Sequence, residues 1–486
     1  MMKGEKKAYI TLYLTLVLGV LLSLVFILLE GIRNKTMRTE VESVMDVGLY
    51  SVFGEYHRQL LEQYDLFFID TSYGEGTPDI KRSEEHLQYY INENFHKSEV
   101  QTILGFRDLT DLNCDNVEYE NYEYATDHCG SAVKLQIVDY MQHENEINLI
   151  ENLLEEFSTL KRNNMSINIS EKWNEADENL GRLLAEKKKE MTDPETGEQI
   201  PVAWDNPADQ IKEIRAQGTL GLVFPKEKEI SSIVIHPEYY VSHRNVSKGQ
   251  GQLSNEKSIL DEITEKLMLQ QYFMKKCGFF LSEKKNSVLK YQIEYMLAGE
   301  ESDMENLEAV VEDILHIREG INFIYLVSDK EKVTEAEALA WMISALLFSP
   351  EIKEMVKLTI MYAWTYAESV KDVRILLDGN KLPLLKTAAT WNTPLAQLFM
   401  FTTCLDRYEE SNTGMTYSDY LQFLLSTKEE KMILYRFMDL CEMDIRLTEG
   451  NQYFQMDGCV SAIKATANIS SGYGNGYRIT RTYAYE

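Results

Sequence analysis

The residues from Ala8 to Leu29 form an apolar run that contains no charged side chain. A helix needs about 20 apolar residues to cross the hydrocarbon core of a bilayer, so this run is long enough to span it with some tilt. Such a helix satisfies its own backbone groups in lipid. A buried helix of a soluble core would rarely keep all its faces apolar over this length. The sequence therefore predicts a transmembrane anchor from Ala8 to Leu29, with membrane lipid as its partner.

A cleaved signal peptide is the main alternative to an anchor. Lys3, Lys6 and Lys7 would form its basic start. The apolar run, however, exceeds the usual length of about 7–15 residues, and no small-x-small cleavage site follows it. We therefore predict an uncleaved anchor. Three further basic residues follow the run within ten positions, so the charge distribution leaves the orientation open.

The composition limits the classes of function. A formal net charge of −29 argues against nucleic acid, because binding to phosphates requires clusters of Lys and Arg, and the chain has none of any size. A hydrophobic content of 44% and 29 tyrosines are typical of a packed protein and exclude extended disorder. We expect a folded, acidic body outside the bilayer that binds no nucleic acid.

The cysteines and histidines show no metal or redox pattern. The six cysteines include no CxxC pair, and no HExxH motif is present. Cys114 and Cys129 bracket an acidic, tyrosine-rich segment and would be able to form a disulfide if that segment lies outside the cell; free buried thiols are the alternative. No phosphate loop, GxSxG elbow or dinucleotide fingerprint occurs. The sequence predicts no catalytic, cofactor or metal site.

Helical spacing continues beyond the anchor. Apolar residues mostly recur every three to five positions from Ile32 to Leu61, which predicts one helix of more than 50 residues that ends near Tyr64. Strand-like segments follow at Leu66–Gly74 and Asn116–Tyr124, and the second contains a one-residue slip at Asn121 that suggests a bulge. Residues 459–485 alternate around SGYGNG and predict a hairpin that pairs with both earlier strands.

The region between these strands and the hairpin is mainly helical. Pairs with the spacing of N-terminal caps predict helix starts at Ser302/Glu305, Thr334/Glu337, Ser349/Pro350, Thr416/Asp419 and Ser426/Glu429. The segment Tyr291–Leu297 fits a strand or a helix. We therefore predict a helix-rich α+β fold: a long N-terminal helix, a small antiparallel sheet platform closed by the C-terminal hairpin, and a large helical insertion.

The predicted domain organisation follows from these elements. The polar stretches at 192–207 and 243–255 are candidate lobe boundaries inside the insertion. In chain order we expect a tail and anchor (1–29), a membrane-proximal helix (30–64), the first part of the platform (65–142), a helical body (143–450) and the closing hairpin (451–486).

Glu368 and Asp372 form the one candidate polar site. They lie one turn apart on a rather apolar helix, so the two carboxylates would be able to share a proton or hold a cation. The alternative is structural: Lys371 and Arg374 would neutralise both carboxylates where two helices pack together. We favour the structural interpretation.

The segment from Lys7 to Gly74, together with KYQIEYMLAG, INFIYLVSD and AWTYAESVKDVRILLDGNKLPLLKT, resembles an uncharacterised family of membrane-anchored proteins from Gram-positive anaerobes. The N-terminus also resembles the pseudopilin-like proteins of tight-adherence (Flp-type) pilus systems. The resemblance implies a role in such an assembly and no catalytic residue. The chain departs from pilins at the fifth position after Gly4, where Tyr9 replaces the usual glutamate. With this departure, the resemblance implies an uncleaved protein that is an assembly component or a minor component of such a pilus system.

These observations favour a non-enzymatic, single-pass protein of the cell membrane. Its C-terminal body would lie outside the cell and bind other pilus-like assembly proteins. Two other hypotheses stay open: an extracytoplasmic ligand-binding or sensing protein, and a membrane-tethered hydrolase that uses Glu368 and Asp372. A cavity lined by both carboxylates would favour the hydrolase, whereas a packed, ion-paired helix contact would oppose it.

Overall fold

In the computed structural model, the chain divides into two compact units. Unit 1 comprises Met1–Gln136, Arg244–Ile259 and Cys441–Glu486, and unit 2 comprises Ile137–His243 and Leu260–Leu440. The structure describes residues 3–95, 110–143, 169–190, 207–216, 218–224, 229–250, 253, 262–346, 349–405 and 413–485. Helices and one antiparallel sheet make up the fold, so the predicted helix-rich α+β class is confirmed.

The elements are numbered in chain order over the described residues. The helices are α1 (Lys3–Phe53), α2 (Arg58–Tyr64), α3 (Ile80–Phe95), α4 (Ser131–His143), α5 (Ile169–Glu190), α6 (Pro207–Ala216), α7 (Leu220–Val223), α8 (Glu262–Lys276), α9 (Gln292–Ala298), α10 (Asp303–Ser328), α11 (Lys330–Leu346), α12 (Lys353–Leu377), α13 (Tyr417–Thr427) and α14 (Glu430–Arg446). The strands are β1 (Ile69–Asp70), β2 (Leu112–Tyr124), β3 (Cys459–Ser471) and β4 (Gly476–Ala484).

Helix α1 contains both ends of the predicted anchor, Ala8 and Leu29. Its apolar part, from Tyr9 onward, is exposed on every side, and its length and composition allow it to cross a membrane. The hydroxyl groups of Thr15 and Ser23 donate to backbone carbonyls one turn earlier, so no polar group of these two side chains needs water. The helix is compatible with a single-pass membrane protein.

The prediction that this helix continues to Tyr64 was wrong. Helix α1 ends at Phe53, and Gly54 follows it in a turn. A separate short helix, α2, then begins at Arg58, where the ring of His57 accepts a hydrogen bond from the Leu60 N–H at 3.2 Å. Helical spacing of apolar residues persists across this break because both helices bury their apolar faces in unit 1.

Strand β3 is the centre of the sheet in unit 1. It pairs with β2 along one edge and with β1 and β4 along the other, and every pair is antiparallel. The predicted hairpin and its pairing with the earlier strands are therefore confirmed. The predicted slip at Asn121 is also confirmed as a register shift between Tyr119 and Asn121. The strand predicted at Leu66–Gly74 contracts to the two residues of β1.

The core of unit 1 lies between one face of the sheet and helices α1 and α3. Helix α1 contributes the buried side of its stretch from Met37 to Phe53, and α3 contributes Leu87, Ile91 and Phe95. Gly48 of α1 faces α3 so closely that an added Cβ would lie 3.0 Å from Ile91. The helix that carries the apolar run is therefore also a core element of the folded unit.

An ion-paired arginine attaches the segment after His243 to unit 1. Arg244 donates to both carboxylate oxygens of Glu442, at 2.6 and 2.7 Å, and also to Asp457. Asp457 in turn accepts from the N–H of Ser247 at 2.8 Å. The stretch at 243–255, predicted as a boundary between helical lobes, thus belongs mainly with the sheet. Residues 192–206 of the other candidate boundary lie outside the described residues.

Unit 2 is organised around α12, whose residues are buried on all sides from Thr359 to Leu377. Helices α5, α6, α10 and α11 pack against it. The ambiguous segment Tyr291–Leu297 is helical, since α9 runs from Gln292 to Ala298. A helix that is buried around its whole circumference is typical of the centre of a bundle. This central position places Glu368 and Asp372 deep inside unit 2.

Candidate functional site: a buried ion cluster

Three parts of unit 2 supply the cluster around Glu368 and Asp372. Helix α12 carries both carboxylates one turn apart, and α10 carries Arg318 and Asn322, also one turn apart. The loop that follows α12 contributes Lys386. Because residues four apart share one face of a helix, each helix presents two polar side chains to the same contact.

Lys386 bridges the two predicted carboxylates. Its Nζ lies 2.5 Å from Glu368 Oε1 and 2.6 Å from Asp372 Oδ1, and it also donates to the carbonyl oxygen of Thr390 at 3.0 Å. Glu368 accepts a further hydrogen bond from the backbone N–H of Asn392, at 2.9 Å to Oε1. The loop after α12 is thereby folded back onto the helix.

Arg318 occupies the other side of Asp372. Its Nε and Nη2 donate to Asp372 Oδ2 at 3.0 and 2.9 Å, and Asn322 Nδ2 donates to the same oxygen at 2.8 Å. The remaining guanidinium nitrogen donates to the carbonyl of Leu384 and to the hydroxyl of Tyr420. One arginine thus ties α10 to α12, to the loop and to α13.

The four charges are buried and balanced. The side chains of Arg318, Glu368, Asp372 and Lys386 are 0% exposed, and two carboxylates face two cations. Every charged nitrogen and oxygen atom of these four side chains makes a hydrogen bond. Glu368 Oε2 accepts from the Asn392 N–H at 3.1 Å, and the other atoms make the bonds described above. Burial alone would raise the pKa of Asp372, but Lys386 and Arg318 outweigh it and hold this pKa below its usual value.

This geometry suits structure better than catalysis. A general base must reach a proton of its substrate, directly or through one water, and neither carboxylate is accessible to solvent. A buried pair with complete hydrogen bonding fixes one arrangement of its elements. Among the described residues, no group of three or more His, Cys, Asp or Glu side chains has the geometry to hold a metal ion.

A family model described as a family of unknown function (DUF5702) matches residues 197–471, more than half of the chain. The chain belongs to the DUF5702 family. The matched region runs from α6 to the end of β3 and includes all four charges of the cluster. No curated protein and no protein of solved structure matches the chain. The cluster therefore lies in the part of the chain that defines DUF5702.

The structural interpretation of Glu368 and Asp372 named the wrong cations. Lys371 instead donates to the carbonyl of Asn392 and to Gln397, and Arg374 donates to the carbonyl of Leu222. Arg318 and Lys386 are the true partners, and sequence reasoning missed them. One signal was present for Arg318: it lies four residues after Ile314, on the apolar stripe of α10, where a charged residue requires a buried partner.

Cys114 and Cys129, the candidate disulfide, are both free thiols. Cys114 is buried near the start of β2, whereas Cys129 is exposed beyond its end. Ten residues of extended strand between Cys114 and Tyr124 cover about 33 Å. The five residues that follow cannot return over that distance, and a disulfide requires Cα atoms within about 7 Å. Burial raises the pKa of the Cys114 thiol to about 11.

Proposed function

We propose that this DUF5702 protein is a non-enzymatic, single-pass membrane protein whose body lies outside the cell and serves a pilus-like assembly by binding partner proteins. One observation carries the proposal: helix α1 is both the apolar run and part of the core of unit 1. Met37, Met45 and Val52 are fully buried on the same unbroken helix whose stretch from Tyr9 to Leu29 is exposed and apolar. Such a helix transmits the orientation of the anchor directly to a folded unit.

The closed ion cluster supports a non-enzymatic role. The two carboxylates that a hydrolase would use are both sealed by cations and by the backbone of the loop at 386–392. A membrane-tethered hydrolase would need them to line a cavity. Their arrangement instead resembles the packed, ion-paired helix contact expected of a structural element.

An exposed apolar strip on α11 supports partner binding through unit 2. Trp341 is 64% exposed, and Met342 and Leu346 are similarly exposed on the same side of the helix. Ala338 and Ala345 extend this strip at helical spacing, while Ala336, Ala340 and Ile343 form the buried side of α11. A helix that is apolar on two sides is typical of one that contacts a second protein. We propose that this strip binds an apolar helical face of another pilus-like assembly protein.

Topology is the first test of the proposal. Protease added to intact, wall-stripped cells should remove the body and leave only a fragment that contains α1, because Lys3 is expected inside and Glu486 outside. A body that survives until the membrane is opened would reverse the topology and contradict the proposal.

The second test concerns the strip on α11. A photo-crosslinking residue at Trp341 in living cells should give an adduct with a component of the pilus-like system, and Trp341→Glu should reduce the number of surface filaments. Ile263→Glu is the matched control, since Ile263 is a 61% exposed apolar residue on α8 of the same unit. Normal filaments in Trp341→Glu cells, with no adduct at position 341, would contradict the proposal.

A further inference from the structure

The tip of the β3–β4 hairpin contacts α1 just beyond the apolar run. The Tyr473 ring centroid lies 4.1 Å from the guanidinium carbon of Arg33. Two residues further along the hairpin, Asn475 Nδ2 donates to Asn34 Oδ1 at 2.8 Å. Arg33 also forms an ion pair with Glu30 at 2.5 Å. The contacts lie within unit 1, so the tip and this stretch of α1 form one folded body.

The position of this contact along α1 sets its depth relative to a membrane. Arg33 follows Leu29, the last apolar residue of the run, by four residues on an unbroken helix. At 1.5 Å per residue, that distance is about 6 Å. The headgroup layer on each side of a bilayer is roughly 5–8 Å thick. If the apolar run fills the hydrocarbon core, Tyr473 lies at the level of the lipid headgroups.

The chemistry of the tip suits that level. Tyrosine has an apolar ring and a polar hydroxyl and is enriched at membrane interfaces. Tyr473 is 46% exposed, so part of its surface is accessible to lipid. Lys35 is exposed on the adjacent turn of α1 and offers a cation to lipid phosphates. Gly474 has a φ of +86°, a conformation that a residue with a Cβ rarely adopts, and it keeps the turn narrow.

We propose that the hairpin tip, Ser471–Gly476, is a second membrane contact of this protein, with Tyr473 seated among lipid headgroups beside Arg33. The proposal rests on the membrane anchoring proposed above. A single transmembrane helix can tilt and rotate in the bilayer, and unit 1 moves with it because α1 is part of its core. A second contact on the hairpin restricts that tilt and fixes which side of unit 1 faces the membrane.

The test places a photo-crosslinking residue, p-benzoylphenylalanine, at three positions of the full chain in phosphatidylcholine–phosphatidylglycerol nanodiscs. Position 473 is the tip and position 26, in the apolar run, reports on the anchor. Position 453 is the control: Tyr453 is 50% exposed and belongs to unit 1. Its neighbours Asn451 and Phe454 contact His57, which follows the C-terminal end of α1. That end of the helix lies about 30 Å from Arg33 along the helix axis, so position 453 is far from the tip.

Mass spectrometry of the irradiated protein then separates the outcomes. We expect lipid adducts at positions 26 and 473, and several-fold less at position 453. Adducts at position 26 with no more at 473 than at 453 would overturn the second contact and leave the anchor intact. No adduct at position 26 would overturn the anchor itself, and the tip contact with it. Because Tyr473 is partly exposed, its replacement is compatible with folding, which unchanged protease resistance of unit 1 would verify.

Discussion

Arg318 directs two of its guanidinium nitrogens to a single oxygen of Asp372, at 2.9 and 3.0 Å, and both side chains are fully buried. Removal of charges from water costs several kcal/mol per ion, and only close pairing with further hydrogen bonds offsets it. Asp372 also faces Lys386, so its single negative charge helps to balance two cations. The stability of unit 2 should therefore depend strongly on this carboxylate.

We predict that Asp372→Asn destabilises the protein by about 3–5 kcal/mol, because it leaves an excess of buried positive charge. Urea denaturation of the full chain, monitored by tryptophan fluorescence, measures this change. Asp313→Asn is the matched control: Asp313 lies on α10 and pairs with Lys428 at 3.3 Å, but both side chains are partly exposed. Exposed pairs contribute at most about 1 kcal/mol. Equal effects of the two substitutions would contradict the assigned role of the cluster.

Glu368→Gln distinguishes a structural cluster from an active site by the sign of the stability change. On the structural interpretation, Lys386 loses one of its two carboxylates and the protein becomes less stable. Active sites hold charges at a cost in stability, so loss of a catalytic carboxylate often leaves stability unchanged or improved. We predict a lower melting temperature. A variant that melts higher than the parent and no longer supports assembly would revive the hypothesis of a chemical site.

The spacing of capping residues in the sequence showed which segments are helical more reliably than it located the first residue of each helix. Ser302 caps α10 and Thr416 caps α13 through a full capping box, as predicted. Thr334 and Ser426 instead lie inside α11 and α13, where their hydroxyls donate to carbonyls of the preceding turn. Ser349 precedes a 3₁₀ turn and α12 starts only at Lys353. A threonine or serine followed by an acid is compatible with either position, so packing decides between them.

The sheet was predictable from sequence and the ion partners were not. Alternation of apolar and polar residues in β2 and in the C-terminal hairpin, with the glycine-rich turn between the hairpin strands, predicted these strands, and their pairing agrees with the structure. Lys386, by contrast, reaches Glu368 from a loop 18 residues away in sequence. The spacing of residues along a helix predicts contacts only within that helix. Lys371 and Arg374, which lie on the same helix as the two carboxylates, were therefore predicted as their partners.

Glu294, a buried carboxyl outside the cluster, should make stability depend on pH. Burial raises its pKa to about 7, against a reference value of 4.5, although the Phe280 N–H and the Tyr417 hydroxyl donate to it. Between pH 4.5 and pH 7, Glu294 has lost its proton in the unfolded chain but keeps it in the folded chain. Stability therefore falls as pH rises through this interval and becomes constant above it.

We predict that Glu294→Gln reduces the loss of stability between pH 5 and pH 8, by up to ~3 kcal/mol. Urea midpoints of parent and variant at several pH values measure the effect. Part of the dependence should persist, because burial also raises the pKa of Glu319 to about 7. The exposed Glu331 supplies the control, Glu331→Gln, which should leave the slope unchanged. A parent whose stability rises steadily over this interval would contradict the assignment.

The last prediction concerns the dependence of unit 1 on the end of the chain. Truncation after Gly458 removes the central strand β3 and its buried residues, among them Val460, Ile463 and Ile469. Each such side chain contributes about 1.5–3 kcal/mol through burial, against a typical total stability of 5–15 kcal/mol. Strand β2 would also lose its partner and expose its backbone. We expect unit 1 to lose protease resistance and cooperative thermal unfolding.

Truncation after Ser471 is the matched control for that experiment. It removes the tip and the edge strand β4 but keeps β3 between β1 and β2. Among the described residues of β4, Ile479 is the buried core residue that this shorter deletion takes away. Unit 1 should then melt at a lower temperature and still unfold cooperatively. If the protein truncated after Gly458 melts like the parent, the C-terminal strands are an appendage and the core of unit 1 lies between α1, α3 and β2 alone.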